Sequence, residues 1–350
     1  MKRYLLLTLC VLAVMTGWAQ RVLIVKKGDA NSLLTTIEQA NKQNADKAAE
    51  RLYVLIPDGV YDLGDKVLTR ITGHRIALIG QSMAGTVIQN KPDVKNEGIS
   101  RTAVLQNRGT ENYFQDLTLK NALDYYAAGS AGRAVTLHDK GNRTVCNRVC
   151  LLSYQDTYFS DNDLSQFYFQ DSEIHGTVDF ICGDGDVWFE RCRIVTEQRT
   201  ADGKGGRDVI AAPKTSKTSW GYIFNRCTVE NKVSNFEYAR GWNGTPHCIW
   251  LHTTLLTPEK LNATRFDWRG MRTVQNDFKE YGTKDADGRN ITPKSNVVTF
   301  ETKDEKNTVE TILTAKEAKK YKVKNVFTEW NPQQVVKESE RQAKKLLKRL

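Results

Sequence analysis

The chain has 350 residues, 40% hydrophobic and 26% charged, with a formal charge of +10. That is ordinary globular composition, with length enough for a large core, and it sets the chain apart from disordered polymers. The basic excess favours a polyanionic partner; part of it sits in Lys344-Lys345-Leu346-Leu347-Lys348-Arg349, the pattern of a solvated terminal helix.

Met1-Lys2-Arg3, the apolar run Tyr4 to Met15 and then Gly17-Trp18-Ala19 have the charged, apolar and small-residue order of an export signal. Residues 1–19 are therefore expected to be removed, which leaves one domain over 20–350. The run is short for a membrane span, and Cys10 follows Leu9 rather than a small residue, which argues against a lipoprotein site. The mature chain is expected to be secreted, periplasmic or at the cell surface, with no integral membrane segment. For an exported chain, an acidic polysaccharide is a better polyanionic partner than nucleic acid.

Arg21 to Val25 reads as a strand, and Ser32 to Gln43 as a helix, with Ser32 as N-cap and Leu34, Ile37 and Ala40 on one face. Short strands follow at Leu52–Ile56, before the turn Pro57-Asp58-Gly59, and at Ile76–Ile79 and Thr86–Gln89. A repeat then emerges in Asn112–Leu119, Phe167–Ile174, Val187–Ile194 and Tyr222–Val229. Val145–Leu152 fits it with Asn147 at the Phe position and Cys150 at the Cys192 position.

Repeats of one strand-like element each, with turns and no helix, predict a β-solenoid. Alternation along each repeat stacks Phe114, Phe169, Phe189 and Phe224 in one ladder, and Cys150, Ser172, Cys192 and Cys227 in another. A β-sandwich of hairpins would show tight two-residue Asn-Gly or Asp-Gly turns. The connections here are of variable length instead. Thr314–Tyr321 and Gln333–Leu350 read as C-terminal helices that pack along or cap the solenoid, where an open end would expose strand edges.

Six cysteines follow Cys10, and none forms a C-x-x-C pair. No zinc motif is present, and both disulfides and small buried thiols are compatible with the spacing. The five histidines show no metal-ligand spacing, and Asp161-Asn162-Asp163 and Asp184-Gly185-Asp186 read as turns. No metal or cofactor is expected. Ala128-Gly129-Ser130-Ala131-Gly132 is one glycine short of a serine-esterase elbow and reads as a loop.

The chemistry concentrates at two aspartates one coil apart, Asp156 and Asp179. Adjacent rungs lie about 4.8 Å apart, so the two carboxyls cannot both ionise freely, and the pair splits into an acid and an anion. Gln155 supplies an amide donor beside Asp156, Arg240 a cation to hold Asp179 as a nucleophile, and Trp242 a flat surface for a sugar ring.

Four ordered motifs, Arg133-Ala134-Val135-Thr136-Leu137, Tyr154-Gln155-Asp156-Thr157-Tyr158, Asp179-Phe180-Ile181-Cys182-Gly183 and Ala239-Arg240-Gly241-Trp242, resemble those of pectin methylesterases of the carbohydrate esterase type. The likeness extends from Lys27-Gly28-Asp29 to Trp330-Asn331-Pro332. It implies a right-handed parallel β-helix that hydrolyses methyl esters of polygalacturonate without a metal. By motif, Asp179 is the nucleophile, Asp156 the acid and then base, Gln155 the oxyanion donor and Arg240 the orienting residue. Trp242 and Phe180 are then expected to line sugar subsites. Three departures stand out: Arg133 where the family has a glutamine, Cys182 for an aromatic and Ala239 for a glycine. A guanidinium at position 133 can stabilise an oxyanion, grip a galacturonate carboxylate or pair with an aspartate. Two rivals to the pectin esterase follow from it: a polysaccharide-binding solenoid without turnover, and an esterase for another uronate ester. The protein is expected to act as a monomer.

Overall fold

The computed structural model describes residues 21–65, 69–93, 98–129, 132–204, 206–269, 273, 277–301 and 306–350. The expected export signal lies outside them. The chain winds as a parallel β-helix. One sheet of 16 strands and another of seven contain only parallel pairings, and Val297–Glu301 with Lys306–Glu310 form a separate antiparallel pair. The large sheet consists of two rows, joined where Tyr113–Asn121 and Thr144–Leu152 run through the corner between them. The seven-stranded sheet carries Leu137–Asp139, Tyr158–Ser160, Val178–Gly183, Arg207–Pro213 and Asn235–Ala239 as neighbours.

Stacking of like residues holds the coils together. Phe114, Phe169, Phe189 and Phe224 share one row, which continues to Trp250. Ring centroids are 5.1 Å apart for Phe169–Phe189, 4.5 Å for Phe189–Phe224 and 3.8 Å for Phe224–Trp250, all nearly parallel. Offset aromatic stacking of this kind adds about 0.5–1.5 kcal/mol per pair to the burial itself.

One expected register is off by a residue. Cys146, not Asn147, pairs with Phe114 and Phe169, and Cys150 stands opposite Glu173. Val149 therefore joins the row of Ser172, Cys192 and Cys227 in its place. The corner residue decides this. Asp116, Arg148, Asp171, Arg191 and Arg226 all adopt a left-handed backbone, with φ between 48° and 55°. Aligning Arg148 with Arg191 moves the repeat by one position, and a shift of one turns each side chain to the opposite face.

The helix near the N-terminus spans Ala30–Gln43, and Asp29 rather than Ser32 caps it, accepting the Ser32 N–H at 2.9 Å. Its buried residues Leu33, Ile37 and Ala40 close the first coil against Leu52 and Ile71. At the far end, Phe300 of the antiparallel pair stacks on Trp268 at 5.1 Å. The C-terminal helix Pro332–Leu346 caps neither end. It lies along the flank of the large sheet, placing Val336, Ala343 and Leu346 with Tyr113, Val145 and Tyr168. The expected helix at Thr314–Tyr321 is shorter, Ala315–Ala318, opened by a Thr314/Glu317 capping box. All six described cysteines are buried free thiols.

Candidate active site

The outer surface of the seven-stranded sheet carries the aspartate pair. Tyr158 pairs with Ile181 in parallel register, and extending that pairing back two residues brings Asp156 level with Asp179. Both have left-handed φ, 60° and 52°, at the bends entering their strands. Aspartate tolerates that region better than most residues, and a sparsely populated conformation persists only where the surroundings fix it. Here they do. Thr157 Oγ1 donates to the carbonyl of His175 at 2.7 Å, Thr177 N–H donates to the Tyr154 carbonyl at 2.9 Å, and a Cβ on Gly176 would lie 2.5 Å from that same carbonyl oxygen.

Arg240 grips Asp179 with both arms of its guanidinium, Nε–H to Oδ1 at 2.8 Å and Nη2–H to Oδ2 at 2.5 Å. Such a fork holds both energy and orientation. Asp156 has weaker company: Arg133 Nε lies 3.9 Å from its Oδ2, and the Cys182 thiol 3.9 Å from its Oδ1. Both carboxyls are almost buried, at 5% exposure for Asp156 and 6% for Asp179. Burial, then the neighbouring Asp179, pushes Asp156 up to about 8, while Arg133 and Arg240 pull against the rise. Burial also raises Asp179, but Arg240 opposes it with hydrogen bonds and charge. The Arg240 fork thus favours the charged form of Asp179, while burial and that neighbouring charge favour the proton on Asp156.

Around the pair runs a groove. A cavity of about 650 Å³ is lined by Tyr125, Tyr126, Gln155, Arg199 and Thr200, among others. A second, of about 340 Å³, shares Arg199 and continues past Val178, Arg240, Arg207 and Arg269. Tyr125 stacks flat on Tyr154 at 4.6 Å, with Tyr126 edge-on to the same ring. The Ala201–Arg207 loop, expected near the cleft, does border it through Ala201 and Gly206; its Gly205 lies outside the described residues, as do Ser130 and Ala131.

Gln155 and Arg240 line this groove; Arg240 holds Asp179 behind it, and Arg133 bridges to Gln155 and faces Asp156. Trp242 is half-buried beside them, 5.9 Å from the Phe159 ring with Lys214 Nζ 5.5 Å from its own centroid. Phe180 does not line a subsite. Its side chain is fully buried in the main core, because alternation turns it to the opposite face from Asp179. Ala239 is likewise core, and the Cys182 thiol stands beside Asp156 Oδ1.

Arg199, Arg269, Asp267 and the Tyr125/Tyr126 pair were not singled out from the sequence. They come from loops and the short helix Tyr125–Ala128 outside the repeat, so no periodic signal marks them. Asp267 joins Arg207 at 3.2 Å and Arg269 at 2.9 Å. The acidic turns are engaged structurally: Asp184 pairs with Lys214 at 2.7 Å, and Asp186 accepts the N–H groups of Trp220 and Gly221.

Fold and site together define a β-solenoid with an unequal pair of carboxyls beside a cation. The chain belongs to the pectinesterase family, whose model matches residues 22–329. It is 28% identical over 239 residues to probable pectinesterase 50 of Arabidopsis thaliana, covering 67% of this chain and 63% of that one. It spans less than two thirds of the length of such curated relatives. Among solved structures, pectin methylesterase PemA from Erwinia chrysanthemi aligns with a TM-score of 0.66 at 23% identity, over 85% of this chain and 93% of that one. A pectin methylesterase in complex with hexasaccharide VII aligns with a TM-score of 0.64 at 24% identity, over the same shares. Among the described residues, no helix is long and apolar enough to cross a membrane.

Proposed function

We propose that this protein is a carboxylic ester hydrolase that removes methyl esters from pectin. The observation that carries the reading is the asymmetry of the pair: Asp179 is oriented and charge-paired by Arg240, while Asp156 retains a proton up to about pH 8. In this mechanism an oxygen of Asp179 attacks the ester carbonyl carbon. The Gln155 amide and the Arg133 guanidinium stabilise the oxyanion that forms. Collapse breaks the bond to the methoxy oxygen, which takes the proton of Asp156 and leaves as methanol. Asp156, now anionic, draws a proton from water, and the hydroxide cleaves the acyl–Asp179 anhydride to release the uronate. Both carboxyls return to their starting states, and the residues alone balance the cycle.

The arginine-lined groove suits a polyanionic chain, and Trp242 and the tyrosines offer it flat surfaces. The family membership supports the substrate class, and the N-terminal pattern supports export after loss of residues 1–19, with 20–350 acting as one monomeric domain. The test is methanol release from methylated pectin by wild type and Asp179→Asn. The expected result is release by the wild type alone. Retention of pectin without methanol from the wild type would identify a binding protein, and release from another uronate ester only would move the substrate.

A further inference from the structure

The face of the solenoid next to the groove carries a second chemical cluster, one that the linear spacing hides. Cys150 stands directly opposite Glu173, and Leu152 opposite His175, so Cys150, Glu173 and His175 project to one side from two adjacent strands. The thiol sulfur, a ring nitrogen and a carboxylate oxygen lie within 4.8 Å of one another. His175 Nε2 is 2.6 Å from Glu173 Oε1, and its Nδ1 is 2.6 Å from Glu197 Oε1. Arg193 also reaches Glu173 at 2.6 Å and pairs with Glu230, Lys232 holds Glu197 at 2.8 Å, and Thr118 and Lys120 flank the cluster from the preceding strand.

We propose that Cys150, Glu173 and His175 form a binding site for a divalent cation of the zinc class. Thiolate, imidazole and carboxylate are the donors such a cation takes, and three of them leave a fourth position for water. Hard cations prefer oxygen-only sites, which excludes calcium and magnesium here. Glu197 supplies the partner that zinc-binding histidines usually have: by accepting the Nδ1 proton it fixes the tautomer that presents Nε2. Both ring nitrogens face carboxylates, so the imidazole is held rigidly in the plane of the cluster.

The strands that bear these ligands lead straight into the two aspartate turns, and the His175 carbonyl accepts Thr157 Oγ1 at 2.7 Å beside Asp156. A bound cation therefore braces the scaffold of the groove without entering it.

The test uses purified protein stripped with a chelator and titrated with Co²⁺. The expected result is saturation at about one equivalent with a near-ultraviolet thiolate-to-cobalt charge-transfer band, which Zn²⁺ bleaches. Cys150→Ser removes that band, His175→Gln weakens binding at least about tenfold, and Glu197→Gln weakens it about 10- to 100-fold. Zn²⁺ raises the melting temperature of the wild type and not of Cys150→Ser. Cobalt binding without the band, binding unchanged by Cys150→Ser and His175→Gln, or no saturable binding overturns the proposal. Ester hydrolysis is not read at any step, so the outcome is independent of the proposed activity.

Discussion

Replacing Arg133 by glutamine should move the alkaline limb of the pH–rate profile upward. In the proposed mechanism Asp156 must be protonated to release methanol, so kcat/KM should fall as pH rises through its pKa of about 8. Arg133 Nε stands 3.9 Å from Asp156 Oδ2, with half of the arginine side chain exposed. At that separation two unit charges interact by about 1 kcal/mol in water and about 4 kcal/mol at the effective dielectric of a protein surface. Exposure and salt screening place this pair near the lower figure. Removing the cation favours the neutral acid, so the pKa rises, by about 0.7 of a unit at about 1.4 kcal/mol per unit. The assay is initial methanol release from pectin at fixed ionic strength across the alkaline range, comparing limb positions rather than plateau rates. The position of the limb isolates the electrostatic effect from any change in oxyanion binding. A limb that stays in place or moves down refutes the claim that Arg133 tunes Asp156.

Asp156→Asn should abolish turnover yet stabilise the fold above neutral pH. A carboxyl that stays neutral in the folded state to about pH 8, while its unfolded counterpart ionises near pH 4, loses stability as pH rises between those values. The variant should gain at least about 1 kcal/mol at alkaline pH and little in acid, as read by urea unfolding at both. Arg240→Met should cost about 3–5 kcal/mol of stability, because Asp179 is left buried without its partner. The acid limb of any residual activity should move up, since the cation that favours the ionised nucleophile is gone; an unmoved acid limb would contradict this. Phe180→Ala and Trp242→Ala should separate core from surface. The first should lose about 3–5 kcal/mol in denaturant unfolding with KM little changed in the surviving folded enzyme, and the second should raise KM with little loss of stability. The reverse pattern would show that the aromatic roles are misassigned.

How much of this was legible beforehand depended on whether the information was periodic. The repeated alternation of apolar and polar residues marked the solenoid and its phenylalanine ladder, because a stacked coil returns the same side chain to the same place at every turn. The same logic brought Asp156 and Asp179 together from motifs 23 residues apart. The family resemblance misplaced Phe180, which sits beside Asp179 in sequence yet points inward, and the repeat alignment misread the Cys150 row, where the left-handed corner at Arg148 set the register.

The sequence by itself determined the architecture and the pairing of Asp156 with Asp179, since both follow from short-range patterns repeated along the chain, and a single motif pointed to Arg240 as the cation beside them. Only the tertiary structure decided the rest. Arg199, Asp267 and Arg269 reach the groove from irregular loops, the C-terminal helix chose the flank over the end, and Cys150, Glu173 and His175 became neighbours. Those meetings depend on loop path and strand register, and each is fixed by the whole stack of coils rather than by any one segment.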